Sequence, residues 1–155
     1  MREMNQIMIS EIEHANTCAQ QLPRELDQIV ADGFLESDGC FLLRALAKRD
    51  TNTSLQDFPD RTGYECFVNS IHLDDYVSEN CLILAFAFAE ALLSAWRKSG
   101  RDEPLKLIIS SDEFGALVKC HVVRPSESWL APDLERYEEA VLVVDSTFEG
   151  RISSL

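Results

Sequence analysis

The feature that most constrains the fold is a nearly unbroken apolar run at residues 81–96, with the sequence CLILAFAFAEALLSAW. A helix needs about 20 apolar residues to cross the hydrocarbon layer of a bilayer, which is about 30 Å thick. This run is shorter, and Glu90 interrupts it. It therefore predicts a central helix that ends near Lys98 and is buried on most of its circumference, not a membrane span.

The segments that flank this helix predict a sheet. Residues 105–110 and 116–123 are rich in aliphatic residues, and the polar stretch between them ends in Gly115, as expected of a hairpin. The apolar sequence AVLVVD at 140–145 predicts a final buried strand. Aromatic and β-branched residues at 64–73 predict a strand before the helix.

The N-terminal part of the chain predicts helices. Apolar residues three and four apart predict one amphipathic helix over 4–22. A second short helix is expected after Pro23, with Gly33 as its C-terminal stop. The pattern further predicts a third helix over 40–46 and, later in the chain, a short acidic helix over 132–139.

Together these elements predict one α+β domain over residues 1–155. Its N-terminal part, 1–50, is expected to be helical, and its core, 64–146, is expected to mix helix and strand. A polar loop with Pro and Gly joins the two parts. In the core, a sheet of about four strands should pack on the long apolar helix.

The charge balance indicates which partners the protein can bind. The chain has 27 acidic and 14 basic residues, for a formal net charge of −13 that is spread along the whole sequence. Such a surface repels nucleic acid and anionic lipid, and it attracts basic partners. The acidity is equally compatible with a role in solubility alone. We therefore expect a protein that binds a basic protein partner, without direct contact to nucleic acid or membrane.

Several acidic residues occur at predicted turns and helix ends, where they are exposed. Paired carboxylates act as an acid–base dyad only when burial separates their pKa values, and exposed pairs do not meet this condition. We predict that these side chains form the partner-binding surface instead. They are Asp74, Asp75, Glu79, Asp112, Glu113, Asp133, Glu135 and Glu138.

The cysteines and the N-terminus indicate the compartment. Five cysteines, at 18, 40, 66, 81 and 120, have apolar neighbours, no CxxC spacing and no matching histidines for a zinc site. They are typical of small buried side chains in a reducing environment. The N-terminus lacks the apolar core of a signal peptide. We expect a cytoplasmic protein that is a monomer or a weak dimer.

Two histidines could carry chemistry. On a strand, His72 and Asp74 would share a face, a spacing that can orient an imidazole or hold a metal. Cys120 and His121 are adjacent and would face opposite sides of a strand, so they cannot form a nucleophile–base pair. Polar residues with structural roles explain both groups better than catalysis does.

The remaining motifs do not favour an enzyme. Arg124 and Glu127 could form an ion pair across a turn set by Pro125. The sequence has no Gly-rich phosphate loop, no G-x-S-x-G and no HExxH motif. We therefore predict a protein that is not an enzyme, with no catalytic residue, no bound metal and no cofactor.

The second half of the chain carries a family resemblance. After the segment IHLDDY and the apolar helix, a strand ends in histidine and is followed by Arg, Glu, Trp-Leu, an acidic D-L-x-x-Y segment and a closing apolar strand. The residues in this pattern are His121, Arg124, Glu127, Trp129, Leu130, Asp133, Leu134 and Tyr137. Residues 64–146 thereby resemble the immunity proteins of contact-dependent growth inhibition systems.

The resemblance implies a function. It implies a small cytoplasmic protein, made beside a toxin, that binds the C-terminal domain of that toxin and blocks its active site or substrate surface. The expected toxin is a basic, nuclease-type domain. Two alternatives stay open: an acidic secretion chaperone, which would expose apolar grooves and dimerise, and a small enzyme that uses His72 or His121.

Overall fold

The computed structural model describes residues 1–15, 20–49 and 52–155. Within these residues the chain forms seven strands and five α-helices. In chain order they are β1 (Arg2–Met4), α1 (Gln6–His14), α2 (Arg24–Asp32), β2 (Phe34–Ser37), β3 (Cys40–Leu43), α3 (Arg44–Ala47), α4 (Arg61–Val68), β4 (Ser70–His72), α5 (Cys81–Lys98), β5 (Leu105–Asp112), β6 (Gly115–Val122) and β7 (Ala140–Asp145). The predicted α+β class is confirmed.

Five of the strands form one antiparallel sheet with the spatial order β1-β7-β5-β6-β4. The sheet therefore has one strand more than the expected four, because the short β1 pairs with β7 at its edge. Strands β2 and β3 form a separate two-stranded hairpin. The predicted hairpin of β5 and β6 and the final strand β7 are confirmed.

One face of the sheet packs on helix α5, and side chains from both ends of the chain complete this core. Alternate residues of β5, such as Leu105, Leu107 and Ile109, point into it because side chains alternate along a strand. Trp96 of α5 is 2% exposed and meets Phe34 edge-to-face, with 4.9 Å between the ring centroids. Helix α5 includes the apolar run, and eight of its 18 residues are buried.

The opposite face of the sheet is covered by an irregular segment, residues 125–139, which we call the strap. Apolar strap residues, including Leu130 and Tyr137, pack on Ile108 and Val143 of the sheet. The strap contains a single 3-10 turn, Leu134–Arg136, where a short acidic helix was expected over 132–139. The prediction of an α-helix there was wrong.

Two further predictions for the N-terminal part were wrong. The helix expected over 4–22 does not begin at residue 4, because β1 occupies residues 2–4, and α1 ends at His14. Residues 16–19 of that prediction lie outside the described residues. The third helix expected over 40–46 is instead strand β3 followed by one helical turn. Asp38 and Gly39, with φ of 53° and 75°, form the tight turn of the β2–β3 hairpin, an Asp-Gly signal that the helical pattern obscured. The second helix, which ends at Gly33, is confirmed.

The strand expected over 64–73 was also largely wrong, since most of this segment is helix α4 and the strand is reduced to β4. The Asp60 side chain caps the helix by accepting a hydrogen bond from the Gly63 amide at 2.7 Å. The helix places Glu65 and Asn69 against the backbones of β3 and β6. Among the helices that the structure describes, none is long and apolar enough to cross a membrane.

Candidate functional site

The turn of the β5–β6 hairpin presents an exposed aromatic side chain between acidic residues. Phe114 is 80% exposed, the highest value among the exposed large hydrophobic residues described. Its position is fixed by Asp112, whose Oδ1 accepts hydrogen bonds from the Phe114 amide at 2.8 Å and the Gly115 amide at 3.2 Å. These hydrogen bonds therefore stabilise the turn, which leaves the Phe114 side chain exposed to solvent.

Asp74 lies on one side of this turn. An added Cβ on Gly115 would stand 2.5 Å from Asp74 Oδ1, so the carboxylate contacts the hairpin backbone directly. The backbone of Gly115 has φ of +154°, which also favours glycine. Asp74, His72 and Asp112 line a shared open cavity of about 200 Å³.

A second acidic cavity lies on the other side of the turn. Asp112, Glu113, Glu138 and Glu139 line an open cavity of about 510 Å³, together with Glu11 of α1. The pairing of Ser111 with Ala140 explains this convergence, because it sets the end of β5 beside the residues that precede β7. Among the residues that the structure describes, no lysine or arginine lines either cavity.

We call this region the acidic hairpin surface. It comprises Phe114 with Asp74, Asp112, Glu113, Glu138 and Glu139. Clustered carboxylates without neighbouring cations produce a negative local potential, which attracts a basic partner. An exposed aromatic residue within such a patch supplies apolar contact area, as in many protein interfaces. The arrangement suits protein binding.

The other four predicted residues lie outside this surface. Asp75 and Glu79 are exposed, but neither lines the two cavities. Asp133 and Glu135 instead make structural hydrogen bonds, the first within the strap and the second between the strap and helix α1. Asp133 Oδ1 accepts from the Glu135 amide at 3.1 Å, and Glu135 Oε1 accepts from the Gln6 amide at 3.0 Å. The acidic residues selected from the sequence therefore include members of the acidic hairpin surface, exposed residues outside it, and residues with structural contacts.

Two members of the surface were not predicted from the sequence. Phe114 was treated only as part of the turn, although an aromatic residue between Glu113 and Gly115 is an unusual choice for an exposed hairpin tip. Glu139 was not among the acidic residues selected for the partner-binding surface. The signal for both was local, namely an apolar residue in a polar turn and an acid immediately before a buried strand.

A buried ion pair joins Arg124, which follows β6, to Glu65 of helix α4. Arg124 was expected to pair with Glu127, but it forms its ion pair with Glu65, with Nη2 2.5 Å from Oε1. Glu65 is 0% exposed and also accepts from the amides of Phe41 and Val122. Although burial disfavours the charge, these interactions with Glu65 raise the pKa of Arg124.

Glu127 anchors the strap by a different contact. Its Oε2 accepts hydrogen bonds from the Thr62 hydroxyl at 2.7 Å and the Thr62 amide at 3.1 Å. Burial raises the pKa of the Glu127 carboxyl, but the hydrogen bonds from Thr62 and the nearby Arg124 outweigh it, so the net pKa is lowered. Glu127 is therefore held as a carboxylate in a structural role.

The histidines differ in their surroundings. His72 is exposed at the end of β4 and lines a cavity together with Asp74, which lies in the 3-10 turn Leu73–Asp75 and not on the strand that the spacing argument assumed. His121 is only 3% exposed and lies on the strap side of the sheet, whereas Cys120 lies in the core on the other side. The prediction that Cys120 and His121 face opposite sides is confirmed.

The described cysteines are free thiols. Cys40, Cys66 and Cys120 are buried, and Cys81 is partly buried. Burial raises the pKa of Cys66 to about 12 and raises that of Cys120 well above its ordinary value. Cys18 lies outside the described residues. A thiol with a raised pKa is a poor nucleophile, so the buried cysteines are small core side chains, as predicted.

The fold and the site together define an α+β protein with a carboxylate-rich surface around an exposed aromatic residue. The chain belongs to the family described as the Uncharacterized protein PM0498 family, whose model matches residues 3–153. "Uncharacterized protein PM0498" of Pasteurella multocida (strain Pm70) is 30% identical over 152 residues, covering 90% of this chain and 96% of that protein. No solved structure matches the chain.

Proposed function

We propose that this protein is an immunity protein that binds a basic, nuclease-type toxin domain through the acidic hairpin surface. It would act in the cytoplasm, as a monomer or weak dimer, and block the active site or substrate surface of the toxin. The observation that carries the proposal is the convergence of carboxylates around the exposed Phe114. The resemblance of residues 64–146 to the immunity proteins of contact-dependent growth inhibition systems supports it.

The physical argument rests on charge. A nuclease binds the phosphates of its substrate through lysine and arginine side chains, so its substrate surface is basic. Carboxylates that present the same sign of charge as nucleic acid compete for that surface. Their attraction accelerates encounter with the toxin, and added salt screens this acceleration.

Phe114 would supply the second part of the binding energy. Aromatic side chains at the centre of an interface contribute more than most of their neighbours, because their contact area is large and their conformational freedom is small. The two hydrogen bonds that Asp112 accepts hold the backbone of the turn that carries Phe114. The acidic residues of this surface should therefore determine the association rate, and Phe114 should determine the dissociation rate.

The experiment measures association of the purified chain with the toxin domain encoded beside it, at low and moderate salt. The Asp112→Asn/Glu113→Gln variant removes two charges, and the asparagine oxygen can still accept the hydrogen bonds of the turn. The matched control is Asp102→Asn/Glu103→Gln, an exposed Asp-Glu pair before the other end of β5. We expect slower association at low salt for the hairpin variant alone.

A second variant separates contact from charge. Phe114→Ser should leave the association rate nearly unchanged and should raise the dissociation rate by about 10-fold or more. Equal salt dependence for wild type and the hairpin variant would contradict the assignment of the acidic hairpin surface. The absence of any complex with the toxin domain would contradict the proposed function itself.

A further inference from the structure

A pocket of about 260 Å³ lies on the strap side of the sheet, away from the acidic hairpin surface. Its floor is formed by Ile108 and Val143 of the sheet, and its wall is formed by strap residues that include Leu130 and Leu134. Pockets for drug-sized ligands measure roughly 300–1,000 Å³. A ligand for this pocket must therefore be small and partly apolar.

Two polar side chains of the pocket stand side by side. Lys106 of β5 and His121 of β6 are direct cross-strand partners. Directly opposite residues have Cβ atoms roughly 4.5–5.5 Å apart, and both side chains point to the same face. One small ligand can therefore contact both groups at once. We call this site the Lys106–His121 pocket.

His121 has a free acceptor in this pocket. Its ring is 3% exposed, and Nδ1 lies 2.9 Å from the carbonyl oxygen of Val122. Because a carbonyl oxygen only accepts, Nδ1 carries the proton. Burial lowers the pKa of His121, so the ring is neutral at pH 7 and Nε2 is an acceptor. No residue in the described part of the chain donates to Nε2.

Lys106 is a cation without a partner. It is half-buried and makes no hydrogen bond or ion pair with the residues that the structure describes. Asp145, its neighbour across β7, directs its carboxylate to the amino terminus at 2.8 Å and to Thr147. A partly buried, unpaired ammonium next to apolar walls is favourable for an anionic ligand.

The charged groups of the pocket favour a ligand with a single negative charge, since the amino terminus of Met1, which also lines the pocket, is already paired with Asp145. Glu3 of β1 lines the far side, beyond Val143, which is its partner across the strands. Its carboxylate repels ligands with several negative charges, such as phosphates. A carboxylate bound to Lys106 avoids this repulsion because it carries only one charge and lies at the opposite end.

We propose that the Lys106–His121 pocket binds an α-amino acid with an aliphatic side chain, either free or as the C-terminal residue of a peptide. The carboxylate would pair with Lys106, and the N–H on the adjacent carbon would donate to His121 Nε2. The aliphatic side chain would lie on Ile108 and Val143. This proposal is independent of toxin binding, because the pocket and the acidic hairpin surface share no residue.

The test is an NMR titration of the full, ¹⁵N-labelled chain with four small probes. L-Leucine represents the free amino acid, and N-acetyl-L-leucine represents a C-terminal residue. N-acetyl-L-leucinamide lacks the carboxylate, and 4-methylpentanoate lacks the N–H donor. We expect leucine or N-acetyl-leucine to shift the amide signals of Ile108, His121 and Val143, and the tighter of the two identifies the source. The other two probes should bind more weakly.

A variant of Lys106 and a matched control test whether the ligand contacts this lysine. Lys106→Met keeps the length of the side chain and removes its charge, and it should weaken binding by about 10-fold or more. The control is Lys119→Met, on the same face of β6 but outside the pocket, where its ammonium lies 5.0 Å from the Trp129 ring centroid. Unchanged binding in Lys106→Met, equal binding of the leucinamide, or no shift with any probe would overturn the proposal.

Discussion

A substitution in the Glu65–Arg124 ion pair tests how the β2–β3 hairpin, helix α4 and strand β6 are held together. Glu65 is 0% exposed and accepts four hydrogen bonds, from the Phe41 amide at 2.6 Å, the Val122 amide at 2.8 Å, and two Arg124 nitrogens at 2.5 and 3.0 Å. These contacts tie the β2–β3 hairpin, helix α4 and strand β6 together. Glu65→Gln removes the charge while it preserves the shape of the side chain.

The substitution should lower the free energy of unfolding because it leaves buried polar groups without suitable partners. The amide nitrogen of glutamine must face either a backbone N–H or the Arg124 guanidinium, all of which are donors. Arg124, with a side chain only 15% exposed, then keeps its charge without the carboxylate that forms its ion pair. Removing one partner of a buried ion pair costs about 3–5 kcal/mol. We expect that loss in the free energy of unfolding.

Urea denaturation followed by far-UV circular dichroism measures this loss. A chain of this size typically has a free energy of unfolding of ~5–15 kcal/mol, so the variant should fold and its melting temperature should fall by roughly 6–20 °C. The control is Glu36→Gln, an exposed carboxylate in β2 of the same hairpin, which should change stability by less than about 0.5 kcal/mol. A loss below about 1 kcal/mol for Glu65→Gln would refute the reasoning.

Three further substitutions test other parts of the account. Asn5→Ala should lower the free energy of unfolding by about 2–3 kcal/mol in urea melts, since the 0% exposed Asn5 accepts from the Met8 and Val141 amides and donates to the Glu139 carbonyl. Gly115→Ala should destabilise the chain by about 1–3 kcal/mol and displace Asp74, seen as shifted amide signals around it. The lowered pKa of His121 means that the fold favours its neutral form, so stability should decline as pH falls below 6.5, and His121→Asn should lack that part of the decline in urea melts across pH.

Long periodic segments made part of the fold predictable. The β5–β6 hairpin and β7 were found because their apolar residues form uninterrupted runs bounded by turn residues. The local sequence pattern gave wrong predictions where tertiary contacts determine the secondary structure. Residues 40–43 are apolar on both sides of the strand because α4 and the core enclose β3, so the segment lacks the alternation that marks a strand.

Helix α4 was also predicted wrongly because tertiary contacts determine its secondary structure. Its aromatic and β-branched residues favoured a strand, but the Asp60 cap and the buried contacts of Glu65 and Asn69 stabilise a helix. Those contacts reach residues of β3 and β6 that are distant in the sequence. No local pattern contains this information.

Four acidic residues of the acidic hairpin surface were selected from the sequence, but their convergence on one surface was not. Asp74, Asp112 and Glu138 were selected because they are acidic and occur at turns. Their convergence depends on the pairing of β4 with β6 and of β5 with β7, which brings three distant segments to one hairpin. Asp133 and Glu135 have the same local character, yet they serve as strap contacts.

The most direct test of the central claim is protection of cells from the proposed toxin, a nuclease-type domain that we expect to be encoded beside this chain. Wild-type protein, expressed together with that toxin, should restore growth, and the Asp112→Asn/Glu113→Gln/Phe114→Ser variant should lose protection although it remains folded. The Asp102→Asn/Glu103→Gln control should protect as wild type does. Failure of the wild type to restore growth or to co-purify with the toxin, or full protection by the hairpin variant, would contradict the account.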